Sequence, residues 1–180
     1  PAGLSVSGGT LTVPPSACAA GIWARIDGTR GVWKAPAGPE ARVAGAVGPL
    51  HPVDSAAQRE LNPHGINCIR QFPSRGTLVW GARTLATRSR PEWRYIPVRR
   101  TGIYIRESIG RGIQWAAFEP NAPALWHSLR EVVGNFMEGL WRDGALQGDR
   151  PDQAFYVRCG LGETMTQADV NRGQVIIELG

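Results

Sequence analysis

The chain has 180 residues, 42% of them apolar and 19% charged, which suits one ordinary globular domain with a full core. No run approaches the roughly eighteen apolar residues of a membrane span, and no signal peptide opens the chain. The net charge of +5 is carried almost wholly by arginine, with Lys34 the only lysine, and a pI near 9.7 raises nucleic acid and acidic protein surfaces equally as partners.

Residues 1–16 are rich in Gly, Ser, Thr and Pro, with Leu11 and Val13 alternating ahead of Pro14-Pro15, and read as an extended connector. Pro1 stands first in place of methionine and the chain stops one residue after its last strand, so a segment of a longer product is expected. Residues 17–26 suit a buried strand or a short helix equally. Asp27 to Pro52 shows little periodicity. So long a passage tends to be functional, and Trp33 within it needs a surface to bury against. Asp54 is placed as the N-cap of a helix over Ser55–Leu61, stopped by Asn62-Pro63. Ile66–Arg70 and Thr77–Ala82 read as strands about a turn at 71–76, with Gly81 marking a bulge or a close backbone approach.

Glu92–Pro120 carries the densest signals. Trp93, Tyr95 and Pro97 lead in as an extended aromatic segment. From Arg99 the spacing predicts a helix with an inner stripe of Val98, Ile105, Ile109 and Ile113. Its polar face sets Arg99 and Arg106 on one line and Arg100, Glu107 and Arg111 on another, with Glu107 and Arg111 spaced for an i,i+4 pair. Such a charge run is commonly a solvated face. Ile103 and Tyr104 among the arginines are what a protein-docking face would carry. Ile113–Phe118 reads as a short strand buried on both faces, ended by Pro120.

Asn121 is placed to cap the longest helix, about Ala122–Asp143, with Pro123 in its first turn and Gly144 at its end. Its stripe is Leu125, Leu129, Val132, Phe136 and Leu140, widened by Val133, Met137 and Trp141. Ala154–Cys159 and Gln174–Leu179 read as strands, with a turn or short helix near Thr166–Asn171 between them. The alternation predicts an α/β or α+β fold, a mixed β-sheet flanked by helices.

Patterns that carry chemistry are thin. Cys18, Cys68 and Cys159 are scattered without a C-x-x-C pair and His51, His64 and His127 are dispersed, which excludes structural zinc and suits buried thiols of a reducing compartment. No nucleophile elbow, phosphate loop, dinucleotide fingerprint or H-E-x-x-H is present. Ser128 beside His127 reads as two neighbours on a helix, and Glu119 at a strand end as a structural acid. No catalytic residue, cofactor or metal is expected, and the chain reads as a non-enzyme. Arginines interleaved with Trp80, Trp93, Tyr95 and Tyr104 leave a basic nucleic-acid-binding module as the alternative.

Five longer motifs follow one another: RGVWKAPAG (Arg30–Gly38), LNPHGINCIRQFPSRGTLVWGARTL (Leu61–Leu85), PEWRYIPVRR (Pro91–Arg100), IYIRESIGRGIQWAAFEPNAPALW (Ile103–Trp126) and GLWRDGALQG (Gly139–Gly148). Their order resembles the C-terminal core domain of contractile tail sheath proteins, those of myophages and phage-tail-like particles, over about residues 10–180. The resemblance implies a sheath core over 17–180 behind the connector at 1–16. It implies a subunit that stacks helically around an inner tube, contracts to drive it through a target envelope, and trades strands with neighbours through terminal arms. The implied partners are other sheath subunits, the inner tube protein and the baseplate, with neither membrane nor nucleic acid among them. Assembly in the bacterial cytoplasm, as part of a phage tail or tail-like particle, is implied too. By position, the helix after WRYIPVRR is the one that grips the tube, so the resemblance implies Arg99, Arg100, Arg106 and Arg111 as tube contacts. The family continues past the last strand and carries an N-terminal arm, so a chain ending at Gly180 is expected to lack both strand donors and to assemble poorly alone.

Overall fold

The structure is a computed structural model that describes residues 2–6, 9–86 and 90–180, the first five by their backbone alone. The chain divides into two compact units, Pro1–Ile103 and Tyr104–Gly180.

In the first unit, β1 (Ala2–Val6) and β2 (Gly9–Val13) pair antiparallel from Ala2↔Val13 to Val6↔Gly9. The segment expected as an extended connector is therefore extended but doubles back on itself. Residues 1, 7 and 8 of it lie outside the described residues. On its other side β1 pairs with β3 (Ala46–Pro49), giving a sheet ordered β2-β1-β3.

Residues 17–26 take the helical option, within α1 (Ser16–Arg30). Ile22 and Ile26, one turn apart on one face, enter a core with Ala41, Val43 and Val79. Gly31 ends the helix at φ 88°, and a Cβ there would strike the Trp33 ring. The bare backbone of the helix end is thus a surface on which that tryptophan rests.

α2 (Ser55–Leu61) begins where its cap predicts, with Asp54 Oδ1 accepting from the Ala57 N–H at 2.8 Å. β4 (Cys68–Phe72) and β5 (Gly76–Trp80) form the hairpin, with Ser74 in the left-handed region at φ 65° in its turn. The irregular passage before α2 is tied to β5. Gly38 N–H donates to Val79 O at 2.9 Å, Val79 N–H to Ala41 O at 3.0 Å, and Val43 N–H to Thr77 O at 2.9 Å. Gly81 marks a close approach, since a Cβ there would lie 2.8 Å from Asn67 Oδ1.

The second unit contains α4 (Pro123–Arg142), in which Leu125, Leu129, Val133, Met137 and Leu140 are buried and Val132 is exposed. The inward face is centred one residue later than the stripe expected through Val132 and Phe136. A 3.6-residue period tolerates both spacings, and packing chooses between them. Asn121 does not cap this helix; Ala122 holds the cap position without a side-chain bond. Burying Trp126 requires a partner for its indole N–H, and Asn121 Oδ1 accepts it at 2.7 Å while Asn121 Nδ2 donates to Gln174 O at 3.0 Å.

The buried strand expected at Ile113–Phe118 is a 3₁₀ turn, Gln114–Phe118. Its three-residue repeat sends Ile113 and Ala116 into a core of Leu125, Trp126, Leu129, Cys159 and Met165. Trp115 and Phe118 stay outside, Phe118 at 92% exposure, and Glu119 is exposed as well. The strands expected at 154–159 and 174–179 shrink to β6 (Val157–Arg158) and β7 (Glu178–Leu179), paired antiparallel. Ala154 instead closes α5 (Pro151–Ala154), while Val175 and Ile177 pack on the core without a ladder. Between them α6 (Gln167–Asn171) starts from a capping box of Thr166 and Asp169. Helices with small sheets make an α+β fold. In place of one mixed sheet, the described residues form three small antiparallel ones.

Candidate functional site: the arginine-bearing helix

α3 (Ile96–Gly112) is the helix expected from Arg99 onward, begun three residues earlier. Main-chain bonds from Thr84 N–H to Arg94 O at 2.8 Å and from Ile96 N–H to Ala82 O at 2.9 Å pin its entry. Trp93 closes a 3₁₀ turn, Pro91–Trp93, where an extended lead-in was expected. It lies against Gly102, at which a Cβ would come within 3.3 Å of its ring.

The four arginines fare differently. Arg100 is half-buried, with Nη1 donating to Asp27 Oδ1 at 2.8 Å and Nη2 to Asp27 Oδ2 at 2.5 Å. Its guanidinium carbon stands 4.8 Å from the centre of the Trp23 ring. A planar fork that meets a carboxylate at both prongs and covers an aromatic face is held in one orientation. Arg99 covers Trp93 at 4.8 Å and is exposed. Arg106 is exposed and pairs with Glu107 at 2.9 Å, in place of the expected Glu107–Arg111 pair. At such solvated positions long side chains choose among rotamers, and either pair contributes only a few tenths of a kcal/mol. Arg111 is exposed and has no ion-pair partner among the described residues.

Of the predicted inner stripe, Ile105 and Ile109 are buried and Ile113 reaches the core, whereas Val98 is 47% exposed. Residues two apart on a helix point about 200° apart, so the turn that brings Arg100 inward carries Val98 outward. Ile103 and Tyr104 are exposed off the stripe as expected, with the Tyr104 ring centroid 6.2 Å from that of Phe136.

Asp27 and Trp23 were not legible as parts of this site. They lie in α1, Asp27 73 residues before Arg100 in the chain, and no spacing rule links helices across that distance. The charge division was legible in principle. Residues 1–103 hold thirteen Lys and Arg against five Asp and Glu, and residues 104–180 seven against ten, so the whole chain's +5 divides into +8 and −3.

Elsewhere, His127 Nε2 lies 3.5 Å from Glu131 Oε1 on an exposed face and no bond joins it to Ser128. No cluster of three or more His, Cys, Asp or Glu among the described residues could hold a metal ion. Burial pushes the Cys68 and Cys159 thiols above the ordinary cysteine range.

Two family models match in succession: the phage tail sheath protein central domain over residues 3–85 and the phage tail sheath C-terminal domain over residues 88–179. The tail sheath protein of Burkholderia phage BcepMu is 34% identical over 140 residues, covering 75% of this chain and 29% of that protein. The sheath of an extracellular contractile injection system, PVC, in its contracted state is 40% identical at a TM-score of 0.91, covering 99% of this chain and 50% of that one. The contracted helical sheath of the anti-feeding prophage is 41% identical at a TM-score of 0.89, covering 99% and 49%. The chain therefore spans about half the length of these injection-system sheath chains and less than a third of the phage protein.

Proposed function

Because this chain belongs to the phage tail sheath family, we propose that it is the polymerising core of a contractile tail sheath subunit. In this role it stacks helically around an inner tube and contracts to drive that tube through a target envelope. The observation that carries the reading is that the likeness to a contracted injection-system sheath runs through nearly the whole chain. The partners on this reading are other copies of the subunit, an inner tube protein and a baseplate. Assembly takes place in the bacterial cytoplasm and yields a phage tail or tail-like particle. The work is mechanical and asks for no catalytic group or cofactor. Residues 17–180 act as the sheath core behind the connector at 1–16.

On the same reading α3 faces the tube. Arg100 is committed to Asp27, so its part is to hold the helix. Arg99, Arg106 and Arg111 are exposed and supply planar, bidentate donors for acidic groups on the tube. Electron microscopy of the whole gene product co-expressed with the tube protein of its particle tests this. Striated hollow rods around a tube are expected, and Arg99→Glu, Arg106→Glu and Arg111→Glu together should leave the rods empty. A monomer that retains no tube protein and shifts DNA with a steep salt dependence would overturn the sheath reading in favour of nucleic acid.

A further inference from the structure

Within residues 1–103 lies a cavity of about 410 Å³ whose wall includes Pro63, His64, Arg83, Leu85 and Arg94, with no carboxylate on it among the described residues. Resting on the sheath reading, we infer that this cavity receives a carboxylate-bearing segment from residues 104–180 of a second copy of the chain.

The cavity is built rather than incidental. Asn67 clamps the Arg83 main chain on both sides, accepting from its N–H and donating to its C=O at 2.8 Å each. The Arg83 guanidinium gives one N–H to Asn62 O at 3.0 Å, which leaves most of its five donors for a ligand. Thr84 holds Arg94 O through its N–H at 2.8 Å and Trp93 O through its hydroxyl at 2.6 Å. Gly65 (φ 75°) lies close against the Thr84 main chain, for a Cβ there would lie 2.6 Å from Thr84 O. Walls fixed in this way need little ordering when a partner arrives.

The ligand's chemistry follows from what lines the space. Two arginines among the lining residues call for a carboxylate or another oxyanion. A lone small ion would fill only a little of a volume in the ~300–1,000 Å³ range typical of ligand pockets. Leu85 on the rim is 82% exposed, an apolar contact that a peptide uses and a free ion does not. The choice of a second copy rests on charge. The cavity's own region is +8, and residues 104–180, at −3, hold ten of the chain's fifteen acids. A basic socket on one region that meets an acidic segment of another is a heterologous contact, which repeats without closing and so builds an open helix.

The test uses the whole gene product with p-benzoylphenylalanine in place of Leu85, assembled from a mixture of heavy- and light-isotope copies and irradiated. Cross-linked peptides that join heavy to light and map within residues 104–180 are expected. Alongside, Arg94→Glu should lower rod yield at low salt at least about tenfold with the melting temperature unchanged, and Arg94→Lys should restore part of it. Rods whose Leu85 cross-links fall within residues 1–103, on the tube protein, or nowhere would overturn this inference and leave the sheath reading standing. So would undiminished rods from Arg94→Glu. Absence of rods from the unaltered protein would overturn both.

Discussion

The two units each bury one face of a helix, but against different material. In the first, α1 sets only Ile22 and Ile26 fully inside, and what it covers is backbone-paired: β5 with β4 on one side and the 38–43 segment on the other. In the second, α4 buries six side chains, and three of them, Leu125, Trp126 and Leu129, share a core with Cys159 and Met165 on which Ile113, Ala116, Val175 and Ile177 pack outside any ladder. A hairpin holds its shape through hydrogen bonds that do not depend on which apolar residue sits on it. A core closed by loops depends more on each side chain, because single hydrogen bonds such as Asn121 Nδ2 to Gln174 O and Thr164 Oγ1 to Ile176 O, rather than a ladder, tie the loops down.

That difference can be broken deliberately. The largest effect is expected from Leu129→Ala, which opens a cavity where the side chain is almost fully buried and should cost about 2–5 kcal/mol. In urea unfolding monitored by hydrogen exchange, amides of residues 113–118 and 173–177 should lose protection first. Asp27→Ala comes next. It leaves the half-buried Arg100 without its carboxylate and should cost about 1–3 kcal/mol, while Arg100→Ala on the same background should cost little more. Thr166→Ala removes the hydroxyl half of the capping box on α6 and leaves the main-chain N–H on Asp169, for about 1 kcal/mol. The box also predicts a pH dependence. Hydrogen bonds from the Thr166 hydroxyl and main chain hold the Asp169 carboxyl below its ordinary range. Its contribution is therefore present at neutral pH and is lost as pH falls through that depressed value, and Thr166→Ala should flatten acid melting curves.

The smallest effects sharpen the contrast between structural and exposed arginines. Arg106→Glu and Arg111→Glu should each change unfolding free energy by no more than about 0.5 kcal/mol, whereas Asp27→Ala should not be silent. A thiol titration closes the series: both units hide a cysteine, Cys68 in one and Cys159 in the other, and leave Cys18 half-exposed. Under native conditions Cys18 should react first with iodoacetamide, since burial keeps the other two protonated and out of reach.

What could be read from the residues alone was whatever local spacing decides. The Asp54 cap and the seven residues of α2, the existence and ends of α4 with Gly144 behind it, and the arginine-bearing α3 all rest on contacts within a few positions in the chain. The ordered motifs were enough to place the family. Tertiary structure alone decided the rest. It chose Val133 over Val132 as the inward residue, turned Ile113–Phe118 into a 3₁₀ turn, drew Asn121 from a helix cap to the Trp126 indole, and gave Arg100 to Asp27. In each case the local pattern allowed two arrangements of nearly equal energy. The choice fell to a side chain distant in sequence or to a core whose shape is set elsewhere, and spacing along the chain carries no record of either.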